Sequence, residues 1–243
     1  MFNFLVKNML RLNISRNFHY DKMFKFPKTP HLANLSFSSI RDDKVLTEQE
    51  RSDFLSHEVT LEEKIDGANL SISCDDEGNV VMQNRGNIVS EPYLGQWKDI
   101  EGWLDVRLDD LFDALGTSKI MFGEWCFAIH SIENNSLPDW FIAFDVYNIK
   151  GNCFLSVERR NEIVEKAGLN AIRQIARGVF SLDEIVGFMG KSAYGEGLVE
   201  GIYLRIDEGD WLKQKAKVVR TGFTQAIETH WSKMPLRLNG LRV

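Results

Sequence analysis

A lysine two residues ahead of an Asp-Gly pair stands at Lys64-Ile65-Asp66-Gly67. An amine attacks phosphorus only when deprotonated, so a lysine nucleophile needs a pKa depressed by burial or by nearby cations. A strand end that places Lys64 in a closed pocket would supply this. An ordinary surface turn would use the same four residues, and average residue usage produces the pattern in roughly 5% of chains this long. Phe122-Gly123-Glu124-Trp125 then sets one carboxylate inside an apolar segment. A buried acid needs a partner, which a pair of sugar hydroxyls or a buried cation could each provide. Phe144-Asp145 puts an aromatic beside an acid, hence on opposite faces of a regular strand. Phe144 could stack on a base or fill core.

Glu200-Gly201 follows, with the glycine permitting close backbone approach. Lys213, Lys215 and Lys217 recur at every second position, which on a regular strand lines three ammonium groups along one face. Such a row repels itself unless it meets an anion such as phosphate. A lysine-guarded edge strand is the plain alternative.

The elements that must position these residues are legible in part. Residues 57–65, 69–74 and 80–85 read as strands, the last two joined by a turn at Asp75–Asn79. Apolar residues from Ile100 to Leu115 fall at helical spacing, predicting one helix over 98–115 that stops at Gly116. Segments 119–130 and 140–149 read as buried strands. Ser156 can cap a helix ending at Gly168, and Ser181 with Glu184 fits a capping box for a short helix ending at Gly190. Residues 197–206 and 211–219 form a second hairpin, and a last helix is expected over 224–232. Strands and helices mix without a regular βαβ rhythm, so an α+β fold is expected.

The 243 residues are 44% hydrophobic and 26% charged, which excludes a disordered or collagen-like chain. No run of eighteen apolar residues exists, so no membrane-spanning helix is expected. Three cysteines with no CxxC spacing suggest neither a disulfide framework nor a zinc site, and a reducing compartment is the simplest reading. The net charge of −6 divides unevenly: residues 1–22 carry +3 and the remainder −9. The first segment is basic, amphipathic and nearly acid-free, as transit peptides are, although a packed helix or an over-long start fits too. The expectation is therefore a basic extension over 1–22 and one domain over 23–243, in the cytoplasm, or in mitochondria if the extension is a transit peptide. An acidic domain that binds nucleic acid must do so through a local patch.

In their order along the chain, EKIDGAN, QNRG, FGEW, FIAFD, EGIYL and LKQK resemble the collinear motifs of the covalent nucleotidyltransferases, most closely the ATP-dependent RNA ligases. The resemblance spans about residues 26–232. It implies antiparallel sheets flanked by helices that clasp a nucleotide, with no C-terminal OB domain expected in the short stretch after Arg220. It also implies ATP as substrate, Mg²⁺ or Mn²⁺ as cofactor, and RNA ends or a nicked duplex as partner. No membrane partner is implied, and a monomer is the simplest expectation.

Position by position, the resemblance makes Lys64 the nucleophile that forms lysyl-AMP. Glu63 beside it would line the adenine pocket, and Ile65 would also bind the nucleotide. Asn69 and Arg85 would lie near the AMP phosphate or ribose and the RNA end. Glu124 would hold the ribose and Phe144 would stack on the base. Glu200 would be the metal-site acid, with Asp145 the weaker candidate. Lys213 and Lys215 would hold the α-phosphate, while Lys217 and Arg220, with Arg85, would meet RNA. His130 would line the RNA site or sit in the core. The implied role is RNA repair. A DNA or mixed-strand nick ligase, or a non-catalytic end-binding module, are the alternatives.

Overall fold

The computed structural model describes residues 24–35, 44–221 and 235–242. Its strands are β1 (Val59–Lys64), β2 (Ala68–Cys74), β3 (Val80–Asn84), β4 (Asn87–Ile88), β5 (Lys119–Trp125), β6 (Phe141–Asn148), β7 (Cys153–Phe154), β8 (Asn170–Ala171), β9 (Gln174–Gly178), β10 (Gly201–Glu208) and β11 (Trp211–Val219). Its α-helices are α1 (Glu48–Leu55), α2 (Ile100–Asp105), α3 (Leu108–Leu115), α4 (Val157–Lys166) and α5 (Leu182–Gly187).

Two sheets form. One runs β11-β10-β1-β9, and the other runs β4-β3-β2-β5-β6-β7 with β8 beside β6. All pairs are antiparallel except β6 with β8. Period-2 alternation sends Leu61, Ile202, Leu204, Ala216 and Val218 to the outer face of the first sheet, against Phe54 of α1 and Ile185 of α5. The outer face of the second sheet sets Leu70, Ile72, Met121 and Trp125 against Ile100, Trp103, Leu111, Leu115 and Val164 from α2, α3 and α4. Both outer faces are thus sealed with apolar side chains, each fully buried one contributing about 1.5–3 kcal/mol. The inner faces are left to polar residues and to an aromatic cluster of Phe24, Phe26, Phe122, Phe144, Tyr147 and Phe154.

The α+β expectation and the antiparallel hairpins match this architecture. The Asp75–Asn79 turn closes with the Asn79 amide donating to Asp75 Oδ1 (2.7 Å) and Gly78 at φ 86°. Ser156 and Ser181 cap their helices as expected. The helix expected over 98–115 is instead two. It breaks at Val106-Arg107, where the Arg107 guanidinium donates to the Trp103 carbonyl (2.7 Å) and to Asp139 (2.9 Å). These bonds replace the helical continuation. The strand expected over 119–130 ends at Trp125, and that over 197–206 begins only at Gly201. The helix expected over 224–232 and the extension over 1–22 lie outside the described residues.

Candidate active site

β1 delivers Lys64 at its last position, opposite Gly201 of β10. The two residues after Ile65 fix the chain there. Asp66 Oδ2 accepts from the Ser131 amide (2.7 Å) and the Ile132 amide (3.3 Å). Gly67 passes so close to β5 that a Cβ would stand 3.0 Å from the Trp125 carbonyl oxygen. The Asp and Gly of the motif are therefore the hinge that holds the lysine's strand end. Gly201 has the same kind of necessity, since a Cβ there would lie 2.2 Å from the Val218 carbonyl oxygen. Immediately before it, Glu200 Oε2 accepts from Lys64 Nζ at 2.6 Å.

A cavity of about 400 Å³ opens over this pair between the inner faces of the sheets. Lys64, Ile65, Asn69, Arg85, Glu124, Phe144, Tyr203 and Lys217 line it, and residues 25–29 form a further wall. Arg85 sits on the β3–β4 turn. Asn84 pairs with Asn87, so Arg85 and Gly86 are a two-residue loop, with φ of 50° and 90°. A tight turn of this kind demands positive φ at both positions. Arg85 accepts that strained conformation, and its Cα is pinned at the cavity edge.

The electrostatics differ from the sequence expectation at one decisive place. Burial works against the Lys64 ammonium, but Glu200, Glu124 and Asp66 together outweigh it, and the pKa is raised. In this state Lys64 is an ammonium and not the depressed amine expected of a nucleophile. Glu124 is pushed well above the carboxylate range, first by burial and then by Glu200 and Asp66, against the pull of Lys64 and Arg85. Its Oε2 is buried with no hydrogen-bond partner. A bare buried acceptor on a cavity wall fits a hydroxyl-bearing ligand.

Several residues expected at the site are there: Lys64, Ile65, Asn69, Arg85, Glu124, Phe144 and Lys217 all face the cavity. Glu63 lines it too, but its carboxylate turns away to accept from Ser192 Oγ (2.5 Å) and the Ala193 amide (3.1 Å). Arg220 backs the site, its amide donating to the Glu200 carbonyl (2.9 Å). His130 Nε2 meets Gln96 Oε1 at 2.9 Å.

Three residues depart from expectation, and β-bulges explain two of them. Phe122 pairs with Asp145 and Gly123 with Ala143, so Phe144 is an extra, unpaired residue. The bulge breaks alternation, and Phe144 and Asp145 both turn toward the other sheet instead of opposing each other. Asp145 is fully buried, with one oxygen bonded to Arg205 and the other 3.4 Å from Lys215 Nζ. It is therefore not placed to ligate a metal. On β11, Ile206 pairs with Gln214 and Asp207 with Leu212, leaving Lys213 as the bulged residue. Lys213 leaves the lysine row and pairs with Glu208 (2.9 Å) at the far end of the hairpin. Lys215 turns inward behind Phe144, over the rings of Phe26 (3.7 Å) and Phe154 (4.3 Å). Burial lowers its pKa to about 8 against the pull of Asp145. The row meets the cavity at Lys217.

Other contributors carried weaker sequence signals. Tyr203, two positions beyond Gly201 on the same face, lies 6.4 Å from Phe144 between ring centroids and meets Thr29 through its hydroxyl (3.2 Å). Glu62 is buried beneath the cavity in a two-pronged pair with Arg160 (2.6 and 3.0 Å), and Arg160 also donates to the Phe144 carbonyl (2.7 Å). The alternation that puts Lys64 on the inner face puts Glu62 there too, so Glu62 could have been found. Arg160 could not, because on its helix it resembles any surface arginine.

The site is a strand-end lysine facing an acid between two sheets. The RNA ligase family model matches residues 57–219, and the chain belongs to that family. Among solved structures it is similar to Naegleria gruberi RNA ligase. One variant, solved with AMP and Mn, has a TM-score of 0.61 at 12% identity over 89% of this chain and 62% of that one. The complex with PPi has a TM-score of 0.59 at 14% identity, over 90% and 62%. A variant solved with ATP and Mn has a TM-score of 0.60 at 13% identity, over 88% and 62%. This chain thus spans about three-fifths of the length of those relatives. No curated protein matches the sequence.

Proposed function

We propose that this protein is an ATP-dependent RNA ligase that seals 5′-phosphate to 3′-hydroxyl ends through lysyl-AMP and RNA-adenylate, in RNA repair. The observation that carries the reading is Lys64 Nζ, 2.6 Å from Glu200, in a cavity lined also by Lys25, Arg85, Lys217, Phe144 and Tyr203. In the first step the Lys64 amine forms a bond to the α-phosphorus of ATP, and the bond from that phosphorus to the pyrophosphate oxygen breaks. The proton must first leave Nζ, and Glu200 is the nearest acceptor. Lys217 and Arg85 neutralise phosphate charge. Glu124 accepts from the ribose hydroxyls through its bare oxygen, and Phe144 with Tyr203 gives the base an aromatic surface.

Among the described residues no three His, Cys, Asp or Glu side chains cluster as a metal cage. Glu200 accepts from Lys64 through Oε2, and Oε1 would be the oxygen offered to a cation. A single carboxylate supplemented by substrate phosphates fits how Mg²⁺ binds beside nucleotides. Mg²⁺ or Mn²⁺ bound there would withdraw charge from the phosphates as a Lewis acid.

The AMP then passes to an RNA 5′-phosphate, and attack by a 3′-hydroxyl releases it. The test is to incubate the full chain with Mg²⁺ and α-labelled ATP or GTP, then chase with nicked RNA duplex, nicked DNA duplex and single strands. Label taken from ATP and passed to 5′-phosphorylated RNA is expected. Label that moves only to DNA would favour the DNA reading, and no covalent label would favour an end-binding module.

A further inference from the structure

The wall formed by residues 25–29 belongs to none of the motifs above. It is an extended strap held at both ends. At one end Pro30 and Leu32 bond to Lys217 of β11 (2.9 and 2.8 Å), and Thr29 meets Tyr203. At the other, Phe26 packs on Phe122 and Phe144 (5.0 and 5.2 Å), and Phe24 stacks on Tyr147 (4.1 Å). Lys25 lies between these two anchored rings, so its backbone is fixed while its side chain is exposed. Its stem runs beside the β3–β4 turn, where a Cβ on Gly86 would stand 3.7 Å from the Lys25 Cβ. That turn carries Arg85, whose own backbone is pinned.

Two cations from distant parts of the chain therefore converge at the cavity mouth on preset backbones. Among the described residues neither has an acid as ion-pair partner. Like charges held together disfavour the empty state and favour an anion, and preset backbones reduce the ordering cost of binding it. Five cations and three acids, Glu62, Glu63 and Glu124, line the cavity, and one of the cations, Lys64, is already paired with Glu200. Two of those acids are already engaged, by Arg160 and by Ser192. We propose that Lys25, together with Arg85, forms a subsite for a terminal phosphate at the mouth of the cavity. The phosphate would come from the triphosphate tail of the nucleotide or from the 5′ end of an RNA strand, a choice that rests on the ligase reading.

Binding decides the proposal without requiring activity. Full-length protein, Lys25→Ala and Lys25→Arg would be titrated with inorganic pyrophosphate, and with one RNA strand bearing either a 5′-phosphate or a 5′-hydroxyl. Thermal melts would confirm equal folding. Loss of a contact to a charged group predicts roughly 10- to 100-fold weaker binding for Lys25→Ala. Lys25→Arg should stay near the parent. Weakening toward pyrophosphate alone assigns the triphosphate tail. Loss of the preference for 5′-phosphate over 5′-hydroxyl assigns the RNA end, with the slope of log affinity on log salt reduced by roughly 0.7. Unchanged binding of Lys25→Ala to both probes would overturn the subsite, as would equal losses in the Ala and Arg variants, because charge would then not be the cause. If the parent forms no lysyl-AMP yet shows these differences, the ligase reading fails while the subsite stands.

Discussion

Two groups of carboxylates lie a few residues apart on the inner faces of the sheets, and they are finished differently. Beneath the cavity, Glu62 has both oxygens on Arg160, and Asp145 has one on Arg205 and one facing Lys215. On the cavity wall, Glu124 has a buried oxygen with no partner, and Glu200, bonded to the cavity-lining Lys64, accepts from it through Oε2. The carboxylates of the first pair are complete within the chain, and Glu124 is complete only when something else binds. Glu62, Asp145 and Glu200 are buried, as is Oε2 of Glu124, and among the four the unpartnered oxygen of Glu124 separates site from scaffold.

The largest stability effect should come from the closed group. Arg160→Met leaves Glu62 buried and uncompensated, which should cost about 3–5 kcal/mol in a urea titration. Replacing Glu62 with Leu in the same chain should recover most of that, since an apolar pair avoids the desolvation penalty. If the double variant were no more stable than the single, Arg160 would act through the Phe144 carbonyl rather than through Glu62.

The open group should reverse this pattern. Glu124→Gln removes no bond to Oε2, so stability should change by less than about 1 kcal/mol. Nucleotide affinity should fall roughly tenfold, as expected for a lost hydrogen bond to a sugar hydroxyl. A large loss of stability with intact affinity would move Glu124 into the scaffold.

Glu200→Gln sharpens the contrast within the site. Burial depresses the Lys64 ammonium while Glu200, Glu124 and Asp66 raise it, so removing the Glu200 charge should lower the pKa. Below that pKa the neutral fraction grows tenfold per pH unit. At any neutral pH, Lys64 of the variant should therefore acylate faster with an amine-directed reagent in the absence of nucleotide. Self-adenylylation should nonetheless fall, because the acid that takes the proton is gone. Peptide mapping of the acylated lysines reads the first effect, and slower acylation of Lys64 would contradict the assigned electrostatics.

Much of this contrast could be read in the sequence, and the failures share one cause. Lys64, Asn69, Glu124 and Lys217 reach the cavity because plain strand alternation carries them there. Asp145 and Lys213 were misplaced because each sits at or beside a β-bulge, and one inserted residue inverts the side-chain pattern on the bulged strand. No single-residue signal marks those bulges. At Gly123 the cause is visible only in three dimensions, where a Cβ would stand 2.4 Å from Phe141 Cζ. The sign of the Lys64 shift was equally hidden, since it depends on three acids brought together from β5, the residue before β10 and the loop after β1. The smallest predicted effect follows from the second bulge. Lys213→Ala loses only an exposed pair with Glu208, and self-adenylylation should change less than about twofold. Lys217→Ala should fall far more.

The central claim is that the open carboxylates surround the reacting lysine, Lys64. Intact-mass and peptide mass spectrometry after incubation with ATP and Mg²⁺ tests it most directly. One AMP on Lys64, lost in a folded Lys64→Ala variant, is the result this account predicts. An adduct on another residue, or labelling that persists in Lys64→Ala, would contradict it.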